Sequence, residues 1–541
     1  MTSKTILERH PIVILALLTI IMLFPYFNYW SVSIMEARNF ITAREMFLDD
    51  NWLLTTMNGA PRYEKPPFPT WMSAVFGSIF GINSTFAMRI PTAIMLFLVG
   101  VFTHNFTLRF INKEHALINA LIAITSFYVI GITVEAPWDI YTHGFMLASI
   151  YFLYSAFNQF KTSYIIYAIL FWALSVLSKG PVGLFALFLP FSMAYFFTYR
   201  FSKKKLVQAL LVLVAGSTLG AIWFIYVRMA DPDTFHEITS RETQNWSSYN
   251  VKPFYYYWSF FIQSGMWTIP AFVGLLYPYM KSRVENLKAY KLTLLWTIFS
   301  VVLLSCIPEK KSRYLMPVLI PLALNTGFYI QYLIKNFKPK STLFDKIIVN
   351  LHFGIFCLAA LSSTVGGIIL YRKQPDLSLT LIIVGVMVFT TIGVALLDSI
   401  RKRNVKSMFV CSILFYVSVM CFLPTVLAGS SKQKDFIQHV NATKAIKGKP
   451  EKHVFFLDYI SPELMWYCER IVPQVEIKNH TYILPDLEQF GLLVDLEENM
   501  NMKEWSKKYH IEKQETYDIN IPSSHRSKHR YLTHYYLFTK K

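Results

Sequence analysis

Met35–Trp71 reads MEARNFITAREMFLDDNWLLTTMNGAPRYEKPPFPTW and joins a first apolar run, near 11–30, to a second, near 87–108. It is crowded with Glu36, Arg38, Arg44, Glu45, Arg62, Glu64 and Lys65. A bilayer interior does not tolerate such side chains unpaired, so the stretch is a loop outside the hydrocarbon. Acids and bases gathered in the first outer loop of a membrane protein point to chemistry, or to the gripping of an anion.

The surroundings of the loop are apolar. Of 541 residues, 54% are hydrophobic and 16% aromatic, against 16% charged, the composition of a polytopic membrane protein. Lys and Arg number 52 and Asp and Glu 33, a net charge of +19. In a soluble chain that excess would suggest nucleic acid. Here it fits basic cytoplasmic loops and anionic headgroups, and no nucleic-acid partner is expected. The five cysteines show neither metal nor disulfide spacing. MTSKTILERH and the apolar run behind it lack a small-residue cleavage site, so an uncleaved first span is expected.

At about 20 apolar residues per span, the sequence predicts about thirteen: near 11–30, 87–108, 115–131, 140–157, 163–178, 181–199, 206–228, 254–280, 290–307, 314–334, 347–371, 378–398 and 407–428. Lys179-Gly180-Pro181 marks a tight hairpin. One alternating set of loops holds the cations, among them Arg109, Lys113, Lys161, Arg200, Lys281, Arg283, Lys335 and Arg401. The positive-inside rule places that set and the N-terminus in the cytoplasm. The other set, with most carboxylates, faces out, and so does the tail beyond Pro424. The short outer loop Pro308-Glu309-Lys310-Lys311-Ser312-Arg313 breaks the charge rule, which favours an anionic ligand there.

These readings give an all-α polytopic membrane domain over 1–428 and a small α/β extracytoplasmic domain over 429–541. In the first outer loop, 31–86, Phe68, Trp71, Met72, Val75, Phe76, Ile79 and Phe80 follow the spacing of a one-faced interfacial helix. Outer loop 229–253 is long, polar and without strong periodicity, the pattern of a lid. In the tail, 453–459, 462–471 and 491–496 read as strand, helix and strand.

Glu64-Lys65-Pro66-Pro67 is the first chemical candidate. Two prolines favour extended backbone at Lys65 and fix the φ angles that follow, holding a charged pair at a set height above the membrane. Lysine suits phosphate as a point charge, and Glu64 can orient it or bind a divalent metal. The plainer alternative is a surface ion pair before a helix. Asp139 and Glu135 stand where the third span gives way to the fourth. An acid there is commonly functional, although Asp also suits a helix start; Asp139 reads as functional, Glu135 as structural and His143 as a core histidine. Arg241 is the anion-binding candidate of loop 229–253. His236 with Glu237 is a weaker metal candidate, since no zinc-type spacing is present.

Read in order, M-E-A-R…A-R-E-M…N-W…N-G…Y-E-K-P-P…W resembles the D-E-x-R…REM…dW…NG…EKPP…W signature of bacterial polyprenyl-phosphate-dependent glycosyltransferases. That family includes the lipid A aminoarabinose transferases, and the protein O-mannosyltransferases are more distant relatives. Leu177–Gly183 and Lys311–Pro317 resemble its LTKGPVG and K-x-RYLLP stretches, and Pro253–Tyr257 with Gly265–Trp267 fits the region after its lid. The resemblance spans about 30–320. It implies the GT-C fold in a bacterial inner membrane, a polyprenyl-phosphate-linked sugar as donor, and inverting transfer to a lipid or glycan acceptor on the non-cytoplasmic face.

By matched position it also implies that Lys65 and Arg38 hold the donor phosphate, with Glu64 shaping the site. Arg313 and Tyr314 would approach the headgroup from the other side, beside Lys310, and Lys179 would lie in the LTKGPVG turn. Glu36 and Asp139 are the acids open to a catalytic role, because the first residue of the family's D-E pair is Met35 here. That departure fits transfer of the base role to Glu36 or Asp139 first; a phosphate acceptor that is already an anion and an inactive homologue are the alternatives. A protein hydroxyl is an alternative acceptor. A lipid-linked glycan transporter would need charges along a path through the bilayer, whereas these collect at outer loop ends.

Overall fold

The computed structural model describes residues 9–135, 137–374, 377–428, 431–448, 453–478, 481–497, 500–520 and 531–541. Contacts divide the chain into two compact units. One comprises Met1–Asn28, Tyr63–Pro69 and Arg89–Pro424; the other comprises Tyr29–Arg62, Thr70–Met88 and Thr425–Lys541.

The first unit is helical. Among the described residues nine helices are long and apolar enough to cross a membrane, from Pro11–Tyr29 to Val405–Ala428, and Lys113–Thr125 with Phe127–Glu135 makes a tenth if that pair, bent by 51°, is one span. The chain is a multi-pass membrane protein. Three of the thirteen expected spans take other forms. Run 140–157 lies in the helix Pro137–Asn158, whose buried face includes Asp139, Thr142, His143, Ser149 and Ser155. Protein rather than lipid surrounds that helix, so its sequence is less apolar. Run 181–199 is short, with a π-helical stretch at Leu184–Phe188 before the helix Leu189–Thr198.

Run 254–280 is not one helix. It breaks into Phe254–Tyr257, Phe260–Trp267, Thr268–Leu275 and Tyr277–Met280. Gly265 sits at φ +65°, and a β-carbon there would lie 2.6 Å from the side chain of Phe127. Only glycine permits both the backbone conformation and the approach.

Loop 229–253 is mostly helix. Asp231 caps it through the Thr234 amide, Pro232 opens it, and it runs from Pro232 to Ser248. Its sequence hides this because Ile238 is the only buried apolar side chain among those described on this largely polar helix.

The second unit joins two early helices to the tail. Ile34–Leu48 starts in a capping box made by Ser33 and Glu36. In Phe68–Phe80 the small polar side chains point inward: Thr70 donates to Asn39 at 2.7 Å, and Asn39 donates to Ser73 at 2.8 Å. Val75, Ile79 and Phe80 are exposed. The tail carries a four-stranded sheet ordered Val454–Phe456, Gln489–Val494, Leu532–Lys540, Tyr509–Asp518. Its first pairing is parallel and the other two antiparallel. Phe490, Tyr509 and Phe538 pack one face with Trp505. The expected strand, helix and strand appear at Val454–Phe456, Pro462–Tyr467 and Gln489–Val494.

Candidate functional site

In the first unit, Asp139 occupies the first turn of Pro137–Asn158 and is 1% exposed. Its Oδ1 accepts a short hydrogen bond from Lys179 Nζ, and His143 Nε2 stands 4.0 Å away, one turn on. Oδ2 is buried and has no partner among the described residues. Lys179 ends its helix, and Gly180 at φ +74° turns the chain behind it. Ser175 ties the two helices together by donating to the Thr142 carbonyl at 2.8 Å. The Lys179 ammonium also lies 5.2 Å from the centre of the Tyr314 ring. Arg313 is in electrostatic reach of both Asp139 and Lys179, and Lys65 is in reach of Lys179.

The loop 307–314 is pinned to 249–257. Glu309 and Val251 form a β-bridge. Lys310 is 3% exposed and donates to the carbonyls of Ile307 (2.6 Å) and Lys252 (3.0 Å). Its charge is therefore spent on shaping the loop. Tyr257 both donates to the Lys311 carbonyl and accepts from the Lys311 amide, each at 3.0 Å. Glu309 accepts from Tyr314 at 3.3 Å and pairs with Lys311 at 2.5 Å. Arg313 is left half-buried, with Nε partnerless among the described residues.

Tyr63, Glu64 and Lys65 each reach the helix Pro232–Ser248 or its cap. Tyr63 donates to Asp231 at 2.9 Å. Burial, then Asp231, push the Tyr63 hydroxyl up to about 12, while the hydrogen bonds from Thr234 and then Tyr63 hold Asp231 below the usual carboxylate range. Glu64 pairs with Arg241 at 3.1 Å, and Lys65 with Glu242 at 3.2 Å. These pairs are partly exposed, so each holds its partner weakly. Glu64 faces a cation, and no group of three or more His, Cys, Asp or Glu that could hold a metal occurs among the described residues. His236 and Glu237 are exposed.

Glu36 and Arg38 belong to the second unit. The Glu36 carboxylate accepts the Ser33 amide at 3.0 Å as part of the capping box. Arg38 is half-buried; its carbonyl accepts from Arg62 at 3.0 Å, and its Nε has no partner among the described residues. Met35 is 8% exposed.

The structure thus gathers Asp139, Lys179, Arg313, Tyr314 and Lys65 within one unit. It adds Glu242 and Glu309, which the sequence marks only as outer carboxylates. The partnerships of Glu242 and Glu309 carry no sequence signal, since one links residues 177 apart and the other runs within a loop.

Residues 64–226 match the family model described as dolichyl-phosphate-mannose-protein mannosyltransferase. An Aquifex aeolicus protein is 25% identical over 347 residues, 61% of this chain and 66% of its own length. The undecaprenyl phosphate-alpha-4-amino-4-deoxy-L-arabinose arabinosyl transferase 1 of Proteus mirabilis is 24% identical over 415 residues, 74% of each chain. Among solved structures, ArnT from Cupriavidus metallidurans bound to undecaprenyl phosphate superposes with a TM-score of 0.70 over 97% of each chain at 15% identity. At that identity the likeness gives the fold, which is GT-C.

Proposed function

We infer that this chain, a membrane glycosyltransferase of the GT-C class similar to the aminoarabinose transferases and the protein mannosyltransferase superfamily, moves a sugar from a polyprenyl phosphate to an envelope acceptor with inversion. The acceptor is a lipid A-like glycolipid or another glycan, on the outer side of the inner membrane. The observation that carries this reading is the gathering of Lys179 and Arg313 on a buried carboxylate, with Lys65 in electrostatic reach of Lys179 and the Tyr314 ring against the same ammonium. Cations fixed beside a low-dielectric site are what a phosphate leaving group requires.

In the step proposed, an acceptor oxygen attacks the anomeric carbon from the face opposite the phosphate. The carbon–oxygen bond to phosphate breaks, and the phosphate keeps the electron pair. Lys65 and Arg313 take up its growing charge; stabilisation of this kind is typically the largest catalytic contribution. Arg241, on the helix Pro232–Ser248, pairs with Glu64, the residue next to Lys65, and would add a further cation for the phosphate. Lys179 holds Asp139 by one oxygen, leaving Oδ2 to accept the proton of a hydroxyl acceptor, a contribution of about 10²–10⁴-fold. A phosphate acceptor needs no such proton transfer. Lys65→Ala in reconstituted membranes is expected to lower sugar transfer from polyprenyl phosphate by about 10²–10³-fold; full transfer would defeat the reading.

A further inference from the structure

A second charged cleft lies at the other end of the first unit. The helix Met316–Asn336 begins just after Arg313 and Tyr314. At 1.5 Å per residue, its last turn is about 30 Å from them. That last turn, with Lys335, helps line a cleft of about 220 Å³ together with Asn112, His115, Arg283, Glu285 and Phe328. The basic loops that the sequence assigns to the cytoplasm surround it.

One wall is cationic. The guanidinium of Arg283 lies 3.7 Å from the centre of the Tyr279 ring, and Nη1 donates to the Tyr279 carbonyl at 2.8 Å. The group is therefore fixed in place, yet it forms no ion pair among the described residues, and its Nε is buried without a partner there. The neighbouring carboxylate, Asp345, is already taken up by Tyr279 (2.6 Å), Tyr332 (3.2 Å), Tyr329 (3.3 Å) and Thr342 (2.7 Å). Arg283 therefore feels Asp345 only across the tyrosines Tyr279 and Tyr332 that hold both groups, and a fixed arginine without a direct carboxylate contact suits a phosphate oxygen.

The other wall is the reverse. Lys335 is shared by Glu114 at 2.6 Å and Glu285 at 2.9 Å, so the trio carries a net negative charge. His115 is 5% exposed. Its backbone amide (3.1 Å) and its ring Nδ1 (2.7 Å) both address Asn112 Oδ1. The amide must donate, so the Asn112 atom is oxygen and Nδ1 carries the ring proton. Nε2 is then an acceptor, with no partner among the described residues.

We propose that this cleft binds a phosphate ester bearing a primary amine, with the phosphate on Arg283 and the ammonium on Glu285 and His115. Phosphatidylethanolamine of the surrounding leaflet and free phosphoethanolamine share that chemistry, and basic pockets at span ends are known places for headgroups. The proposal is independent of sugar transfer.

Full-length protein would be incorporated into vesicles of equal phosphatidylethanolamine and phosphatidylglycerol, extracted in mild detergent, and its retained lipid measured by native mass spectrometry. Selective retention of phosphatidylethanolamine is expected. Arg283→Met should reduce it at least about tenfold. Glu285→Gln should abolish the preference while phosphatidylglycerol still binds, a readout that a misfolded variant would not give. Persistence of the lipid in the presence of millimolar free phosphoethanolamine identifies the lipid as occupant. Displacement identifies the soluble ester, and either result supports the site. Equal retention of the two lipids, or selective retention that survives both substitutions, overturns it.

Discussion

Two regions of this chain bury charge, and they do so differently. In the second unit, Arg44 is 2% exposed and held on both Nη atoms: it donates to the carbonyls of Trp466 (3.1 Å) and Met465 (3.3 Å) and stacks on the Trp466 ring. Glu45 accepts from Thr56 (2.7 Å) and from the amides of Asn58 (2.6 Å) and Gly59 (3.1 Å). Arg62 donates to Thr42 and to the Arg38 carbonyl. Around Asp139 in the first unit, Asp139 Oδ2 and Arg313 Nε are buried with no partner among the described residues. A buried polar atom left unmatched costs about 1–3 kcal/mol. Apart from Arg38 Nε, the Arg44, Glu45 and Arg62 cluster finds its partners on folding, whereas the Asp139 cluster keeps capacity for something else to bind.

The contrast can be broken most forcefully at Lys179. Lys179→Met strands the Asp139 charge and is expected to cost about 3–5 kcal/mol, read as a fall in Tm in detergent, with transfer reduced to background. Adding Asp139→Asn should restore much of the Tm but not transfer; recovery of both would make the pair structural only. Arg44→Ala is expected to cost about 2–4 kcal/mol through its stranded carbonyls, with turnover per folded molecule unchanged. A loss of turnover without a fall in Tm would erase the distinction between the regions.

Smaller effects sharpen it. Glu242→Gln releases Lys65 from a partly exposed pair, so Tm should move by less than about 1 kcal/mol in equivalent stability, while the donor KM falls about two- to fivefold. An unchanged KM would mean that Glu242 does not compete with the donor for Lys65. Smallest is Tyr63→Phe. The folded state raises the Tyr63 hydroxyl to about 12, so its contribution is complete below the free value near ~10 and disappears as pH climbs through about 12. The variant should show a shallower loss of stability between those limits in an alkaline unfolding series. Asp231, held low, acts at the other extreme: its contribution is present above ~3.9 and lost as pH falls through the depressed folded value.

Much of this was legible in the sequence, for physical reasons. Spans facing lipid are apolar around most of their circumference, and those runs are found. Runs wrapped by protein, such as Pro137–Asn158, relax that demand, and a run broken at Gly265 keeps its hydropathy while losing its helix. The polar helix Pro232–Ser248 offers almost no apolar face to read. At the site, Glu64, Lys65, Asp139, Lys179, Arg313 and Tyr314 stand in recognisable ordered motifs. Arg44, Glu45 and Arg62 look equally reactive in the linear sequence. What occupies Arg44 is a pair of carbonyls more than 420 residues away, and no local pattern announces such a partner.

That separation also sets a clock. Arg44 meets the Trp466 carbonyl only after 422 further residues have been made. At ~5–20 residues per second the interval is roughly 20–80 s. Throughout it, Ile34–Leu48 waits on the nascent chain with its cationic side chain unseated and its tail platform not yet synthesised. The segment Ile34–Leu48 is among the earliest parts of the protein to be translated and among the last to be completed.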